Sequence, residues 1–157
     1  MKMKTAIFLK KVTIIDPNSP FNKQTKDLLI ENGMVVKVAN DIKPPAGALI
    51  IEEDGLHICP GLFDLLVDFG EPGFEYKETL ETGCNAAMQG GFTGVGLSPN
   101  SIPPRDNKSA IEFCINKTAK HLVDLHPIGT ISKDLKGAEL SEMFDLKSSG
   151  AVASIPE

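Results

Sequence analysis

The sequence predicts an α/β fold in which a small all-β unit is followed by alternating strands and helices. Three observations support this prediction. Short apolar runs alternate with turn residues up to residue 56, an Asn-Gly pair joins two of these runs, and strand-like runs alternate with helical apolar spacing after residue 57. We therefore expect two regions, a β-rich segment at 1–56 and an α/β segment at 57–157.

The β-rich segment contains a hairpin signal at Asn32-Gly33, between the runs DLLIE and MVVKVA. Both residues tolerate the positive φ that a tight two-residue turn requires. In the second arm, alternate side chains should share one buried face while Lys37 points to solvent. The residues predicted on that buried face are Met34, Val36 and Val38.

The second segment contains four predicted strands, at LFDLLV, FTGVGLS, VDLHPIGTI and AVAS. The first is almost continuously apolar, which is typical of a strand covered on both faces. Because helices are predicted between these strands, we expect a parallel sheet with crossover connections.

Three helices are predicted from apolar residues at helical spacing. The first carries Tyr76, Leu80, Cys84, Ala87 and Met88 and ends at Gly90-Gly91. The second is capped by Asp106, and its apolar stripe consists of Ile111, Cys114, Ile115 and Thr118. The third carries Leu140, Met143 and Phe144 and ends at Gly150.

Composition argues against several classes of partner. The 157 residues are 41% hydrophobic and 24% charged, with a net charge of -5 and no basic cluster, so neither nucleic acid nor an anionic membrane is an expected partner. No apolar window reaches the length of a membrane span. Three cysteines without metal-like spacing indicate buried hydrophobic residues in a reducing compartment, and we expect a cytoplasmic protein. They are Cys59, Cys84 and Cys114.

The succession CPGLFDLLVDFGEPGFEYKETLETGCNAAMQGGFTGVGLSPNSIPP resembles the start of the catalytic barrel of the dihydroorotases, which are members of the amidohydrolase superfamily. The preceding hairpin resembles the N-terminal β segment of that family, and HPIGTISKDLKGAELSEM resembles its third βα unit. The resemblance implies a β-sandwich-like unit followed by the first three to four βα units of a TIM-type (β/α) barrel.

A complete barrel of this type needs about 250 residues, so the barrel within 57–157 would be incomplete. Open sheet edges and bare apolar faces favour association. We therefore expect either a fragment of a longer protein or a chain that pairs with itself or with a partner, and we favour a fragment that self-associates.

The first barrel strand departs from the family pattern where the chemistry would lie. Active members read D-x-H-x-H-x-R, in which the two histidines bind zinc and the arginine holds the substrate carboxylate. Here Asp64 is retained, whereas Leu66 and Asp68 stand in the histidine positions and Gly70 stands in the arginine position. The resemblance thus implies that zinc is the family cofactor and that its ligands are missing from this strand.

The remaining carboxylates do not replace that pair. Asp64 and Asp68 are four strand positions apart, so their Cα atoms are separated by about 13 Å, whereas each zinc ligand must lie about 2 Å from the ion. A single carboxylate at Asp68 would leave only a weak site. We therefore predict no bound metal and no catalytic residue in this chain.

Other candidate site residues have ordinary structural interpretations. Asn100 matches the second substrate-carboxylate contact of the family, and we interpret it as a remnant of that contact or as a turn former. His57, His121 and His126 match no family ligand position and are predicted to be surface or strand-end residues. Glu157 is the only acid after the GAVA stretch and is not assigned as a ligand.

Two main functional hypotheses follow from the resemblance. In the first, the chain is a catalytically inactive dihydroorotase-like protein of pyrimidine biosynthesis and a structural partner of aspartate carbamoyltransferase, as the resemblance to inactive family members implies. In the second, it is an active dihydroorotase that interconverts carbamoyl aspartate and dihydroorotate, with a site completed by residues outside this chain. A metal-free binding domain that uses the loops after the strands as a pocket is a third, weaker hypothesis.

Overall fold

A computed structural model describes residues 6–156 of the chain. The chain divides into two compact units between Pro60 and Gly61, and each is described by itself below. In the part of the chain that the structure describes, no helix is both long enough and apolar enough to span a bilayer.

The first unit is a five-stranded sheet whose core is formed by Leu9, Val12, Ile14 and Leu28. Strand β1 pairs antiparallel with β2, which pairs antiparallel with β3, while β4 and β5 both lie parallel to the other side of β1. The strands are β1 (Ala6–Ile14), β2 (Thr25–Glu31), β3 (Met34–Ala39), β4 (Leu49–Ile51) and β5 (His57–Ile58).

The predicted hairpin is confirmed. Asn32 has φ of 53° and Gly33 has φ of 77°, so both lie in the left-handed region that a type I′ turn requires. The predicted burial of the second arm is wrong, because Met34 and Val36 are exposed and only Val38 packs against the core. β3 is the edge strand of the sheet, and a bulge that adds one residue at Val36 breaks the alternation.

The second unit is a four-stranded parallel sheet in the order β6-β7-β8-β9, which confirms the predicted partial barrel. Its strands are β6 (Leu62–Val67), β7 (Phe92–Leu97), β8 (Asp124–Thr130) and β9 (Ala153–Ile155). Its helices are α1 (Leu80–Gln89), α2 (Lys108–Thr118) and α3 (Met143–Ser148). The core lies between the helices and the sheet and includes Leu80, Cys84, Val95, Leu97 and Cys114.

Strand β6 is more exposed than its apolar sequence predicts. Among the residues that the structure describes, it pairs only with β7 and forms an edge of the sheet, so the expectation that it is covered on both faces is wrong. Its exposed apolar residues are Leu62, Phe63, Leu65 and Leu66. Cys59, which precedes this unit, is also exposed, contrary to prediction, whereas Cys84 and Cys114 are buried as expected.

Helix α1 begins later than predicted. Thr79 is its N-cap, and it forms a capping box in which Thr79 Oγ1 accepts from the backbone N–H of Thr82 at 3.1 Å. Tyr76 therefore lies outside the helix and is exposed, so its place in the predicted stripe is wrong. The helix ends at Gly90, as predicted.

The N-cap of α2 is Asn107 rather than Asp106, and its Oδ1 accepts from Ala110 N–H at 3.1 Å. Asp106 instead accepts from Asp134 N–H in the loop after β8, at 2.9 Å. Of the predicted stripe, Ile111, Cys114 and Thr118 are buried.

Helix α3 presents a different residue to the core from those predicted. Leu140 precedes the helix, and Leu140, Met143 and Phe144 are all exposed, while Leu146 is fully buried. Leu146 approaches β8 because Gly129 has no side chain: a Cβ there would lie 2.8 Å from Leu146 Cδ1.

Candidate functional site

The loops that follow the parallel strands all leave from the carboxyl end of the sheet in the second unit. In (β/α) barrels this is the end at which active sites form. Asp68 and Gly70 directly follow β6, and Asn100 follows β7. This end of the sheet is therefore the candidate functional site.

A bulge in β6 sets the directions of the residues that follow it. Asp64 pairs with Val95 and Val67 pairs with Leu97, so β6 has two residues where β7 has only Gly96. A Cβ on Gly96 would lie 2.4 Å from the carbonyl oxygen of Leu65, so the glycine lets the bulged backbone come close.

After the bulge, Val67 and Phe69 pack against the core beneath the helices. Because successive strand residues point to opposite faces, Leu66 and Asp68 lie on the face away from the helices. Leu66 is 54% exposed there. The side chain of Asp64 makes its hydrogen bond within β6, where it accepts from Leu66 N–H at 3.1 Å.

The structure brings two of the predicted site residues together, namely Asp68 and Asn100. Asp68 Oδ2 accepts from Asn100 Nδ2 at 3.3 Å, and Asp68 Oδ1 accepts from Gly70 N–H at 3.0 Å. The backbone N–H of Asn100 donates to Ser98 Oγ at 3.3 Å. Both carboxylate oxygens of Asp68 are thus hydrogen-bonded, one within the loop after β6 and the other to the loop after β7.

Gly70 has a backbone conformation that suits glycine and little else. Its φ is 70°, and a Cβ at this position would lie 3.1 Å from Phe74 Cβ and 3.2 Å from Phe74 O. A side chain of any kind would therefore be both conformationally strained and crowded. In the same loop, the hydrogen bond from Gly73 N–H lowers the pKa of Glu75.

Two charged residues that the sequence analysis did not single out, Arg105 and Glu71, make buried hydrogen bonds around these loops. Arg105 is fully buried, and its guanidinium donates to the carbonyl oxygens of Ser98 and Glu71, with Nη2 at 2.7 Å from Glu71 O. Its Nε lies 3.2 Å from the sulfur of Cys114. The loops after β6 and β7 are therefore tied to α2 by one side chain.

The carboxylate of Glu71 completes this buried network. Its Oε2 accepts from Leu80 N–H, the first residue of α1, at 2.8 Å, and its Oε1 is paired with Lys117 of α2. The only signal in the sequence is that both charged residues lie in the loops after predicted strands, beside prolines. Periodicity carries no information about such positions.

Comparison with known proteins identifies the family. A family model described as dihydro-orotase-like matches residues 55–155. The chain belongs to the dihydroorotase-like family. It is 42% identical over 148 residues to the dihydroorotase of Geotalea daltonii and 40% identical over 148 residues to that of Geobacter sulfurreducens. In both cases 94% of this chain is aligned but only 35% of the relative, so the chain spans about a third of their length.

Solved structures show the same fold in this dihydroorotase-like chain. An L-hydantoinase from Arthrobacter aurescens superposes with a TM-score of 0.79 at 20% identity, over 97% of this chain and 32% of the hydantoinase. A dihydroorotase crystal structure superposes with a TM-score of 0.63 at 12% identity, over 96% of this chain and 42% of that one. At these identities the likeness concerns the fold alone.

The dihydroorotase-like chain does not offer the donors that zinc requires. Leu66 has no ligand atom, and the two oxygens of Asp68 are already hydrogen-bonded. Among residues 6–156, no three His, Cys, Asp or Glu side chains come together in a way that could hold a metal ion. Zinc therefore does not fit the residues that the structure places here.

The three histidines are engaged elsewhere. A ring nitrogen of His57 lies 2.6 Å from the carbonyl oxygen of Gly55. The ring of His121 contacts Asn85 Oδ1 at 3.1 Å and the backbone N–H of Val123 at 3.0 Å. His126 lies within β8 rather than at a strand end, with its ring centroid 5.4 Å from that of Phe63. Glu157 lies outside the described residues.

Proposed function

We propose that this chain is a catalytically inactive dihydroorotase-like protein of pyrimidine biosynthesis. The observation that carries the proposal is that both carboxylate oxygens of Asp68 already accept hydrogen bonds. One of its oxygens accepts from Gly70 N–H and the other from the Asn100 amide. A carboxylate that holds two loops together in this way is poorly placed to bind a metal ion, and the neighbouring Leu66 offers no donor.

The chemistry of the family explains why these residues matter. Hydrolysis of a cyclic amide requires an activated water and stabilisation of a developing oxyanion, and a bound metal supplies both when it is present. Bulk water is a very weak acid, so hydroxide is scarce at neutral pH without such activation. A leucine and a hydrogen-bonded aspartate supply neither function.

Recognition of a substrate carboxylate is also weakened. A guanidinium binds a carboxylate through two parallel hydrogen bonds, and an amide such as Asn100 cannot supply the same charge. Arg105 cannot take over this role, because it is fully buried and donates to the carbonyls of Ser98 and Glu71.

The test must separate the effect of these residues from the effect of the missing length. We suggest replacing the aligned third of the Geotalea daltonii dihydroorotase with residues 6–153 of this chain, with the unaltered relative as positive control. The chimaera should bind little zinc and should not hydrolyse dihydroorotate. The same chimaera with Leu66→His and Asp68→His should regain zinc, measured by elemental analysis.

Stoichiometric zinc and turnover in the unaltered chimaera would overturn the proposal. That result would support the alternative of an active dihydroorotase whose site is completed by residues outside this chain. Folding of both chimaeras is checked by circular dichroism, so that a loss of zinc is not confused with a loss of structure.

We further propose that the chain acts as a structural partner of aspartate carbamoyltransferase. The support for this role is family membership together with the loss of zinc donors at Leu66 and Asp68. Sedimentation velocity of the purified chain mixed with aspartate carbamoyltransferase from the same organism should show co-sedimentation. If the two proteins sediment separately, the partner role fails while the proposal of inactivity stands.

A further inference from the structure

The turn between β2 and β3 contains the only asparagine of the sequence that is followed by glycine. Asn32-Gly33 is that pair, and the other asparagines precede serine, lysine, alanine or aspartate. A glycine nitrogen can approach the amide carbon of the preceding asparagine without hindrance from a side chain of its own. Attack of that nitrogen closes a cyclic imide and releases ammonia. The reaction is therefore least hindered at this turn.

The structure leaves both residues of the turn accessible. Asn32 and Gly33 are exposed, and a Cβ on Gly33 would meet nothing within 4 Å. Several other asparagines hold their side-chain amides in hydrogen bonds, which restrain rotation of the amide. These are Asn22, Asn40, Asn85, Asn100 and Asn107. Solvent can thus reach the Asn32 amide, and the space around Gly33 admits the imide ring.

The folded turn itself opposes the reaction. Asn32 has φ of 53° and Gly33 has φ of 77°, and in a type I′ turn ψ of the first central residue is about +30°. At this ψ the Gly33 nitrogen lies almost opposite Cβ of Asn32 across the Cα–C bond. It must rotate towards the side chain before it can reach Cγ, and that rotation opens the turn. The pair that closes the hairpin, Glu31 with Met34, resists this opening.

We propose that Asn32 is a site of spontaneous deamidation and that opening of the β2–β3 hairpin controls its rate. In the open hairpin the Gly33 nitrogen forms a bond to Asn32 Cγ while the Cγ–Nδ2 bond breaks. The proton of the Gly33 amide passes through solvent to the departing ammonia. Water then adds to one of the two carbonyls of the cyclic imide. The products are aspartate, with the original main chain, and isoaspartate, in which the main chain runs through the former side chain.

The two products have different consequences for the hairpin. Aspartate before glycine also suits a type I′ turn, so the aspartate form keeps the hairpin. Isoaspartate adds a carbon to the main chain of a two-residue loop, so Glu31 and Met34 no longer meet in register. Both forms gain a negative charge, because an amide becomes a carboxylate. Deamidation thus converts part of the protein into a form without this hairpin.

The first experiment locates the reaction. The purified chain is incubated at mildly alkaline pH, digested, and compared by mass spectrometry with synthetic peptides that carry aspartate or isoaspartate at position 32. Asn32 should be converted before every other asparagine, including Asn18, which is also exposed but precedes Ser19. Earlier conversion of another asparagine would overturn the proposal. So would an unchanged Asn32 once a peptide with the sequence of residues 28–37 has been fully converted under the same conditions.

The second experiment tests control by the hairpin. Deamidation of Asn32 should be slower in the folded chain than in the same chain unfolded in urea. Val38 and Val36 give a matched pair on β3, since Val38 packs against the core and Val36 is 52% exposed. Val38→Ala should speed deamidation about fivefold through more frequent opening, whereas Val36→Ala should have little effect. Equal rates in both variants, or in the folded and unfolded chain, would overturn control by the hairpin.

The third experiment separates the new charge from the change in the main chain. Asn32→Asp carries the charge of the deamidated forms in an unaltered main chain, so its β2 and β3 amides should exchange with solvent as slowly as those of the unaltered chain. The isoaspartate form, purified by chromatography, should exchange faster in both strands. Full protection of β2 and β3 in the isoaspartate form would overturn the predicted loss of the hairpin.

Discussion

At the scale of single residues, Cys84 shows how burial alone changes the chemistry of a side chain. It is fully buried, and this burial raises the pKa of its thiol from 9.0 to about 11. The unfolded chain ionises this thiol near its ordinary value, whereas the folded chain keeps it protonated up to about pH 11. Because the folded state binds the thiol proton more tightly, Cys84 does not oppose folding below pH 9. As the pH rises from about 9 to 11, ionisation of the thiol favours the unfolded chain and lowers the free energy of unfolding.

The corresponding prediction concerns unfolding at alkaline pH. From pH 8.5 to 11 the free energy of unfolding should fall by up to about 2 kcal/mol more in the unaltered chain than in Cys84→Ala, which has no thiol to ionise. Urea titrations at several pH values measure the difference, and lysine and tyrosine ionisation cancels between the two proteins. Parallel pH profiles would show that the thiol does not contribute.

Gly70 and Gly91 give a matched test of crowding at the loop after β6. Both have positive φ, 70° and 82°, but a Cβ at Gly70 meets Phe74 at 3.1 Å, whereas a Cβ at Gly91 has nothing within 4 Å. Each change to alanine should cost about 1 kcal/mol for the backbone conformation. Gly70→Ala should cost about 1 kcal/mol more by urea unfolding. Equal costs would mean that Phe74 moves freely and that a side chain is accommodated there.

At the scale of elements, strand existence and direction could be predicted, but the burial of individual faces could not. The hairpin at Asn32-Gly33 and the parallel order of the second unit depend on local signals, namely positive φ and alternation of strand and helix. The exposure of β6 depends on which neighbours the strand has, and its own sequence does not specify them. The same holds for Leu146, whose burial depends on the missing side chain of Gly129.

In the candidate site, too, some features could be predicted from the sequence and others depend on contacts between elements. The substitutions at Leu66, Asp68 and Gly70 are visible in the sequence. The hydrogen bond between Asp68 and Asn100 joins residues 32 positions apart, and it requires the bulge in β6 and the loop after β7 to be in place. No spacing rule along the chain predicts such a contact.

Arg105 holds several elements together, and its replacement should show this. Arg105→Met keeps the bulk of the side chain but leaves the carbonyls of Ser98 and Glu71 without their donor, which should cost about 2–4 kcal/mol in urea unfolding. Arg105→Lys should recover only part of this loss, because one ammonium cannot reproduce the fork of the guanidinium. Lys108→Met is the control, because the ion pair between Lys108 and Glu112 is exposed and its loss should change stability by less than about 0.5 kcal/mol.

At the scale of the whole molecule, each unit has its own hydrophobic core. Val12 belongs to the core of the first unit and Val95 to that of the second, and the two cores share no residue. A cavity in one core should therefore lower protection from exchange in its own unit. Hydrogen exchange can therefore measure whether the two units unfold separately.

Val12 and Val95 provide a balanced test, because both are fully buried valines. Each change to alanine should cost about 2 kcal/mol through lost burial and the cavity left behind. In hydrogen exchange followed by mass spectrometry, Val12→Ala should speed exchange in β1 and β2, and Val95→Ala should speed exchange in β7 and β8. If either variant speeds exchange equally in both units, the chain unfolds as one cooperative body and the division has no thermodynamic counterpart.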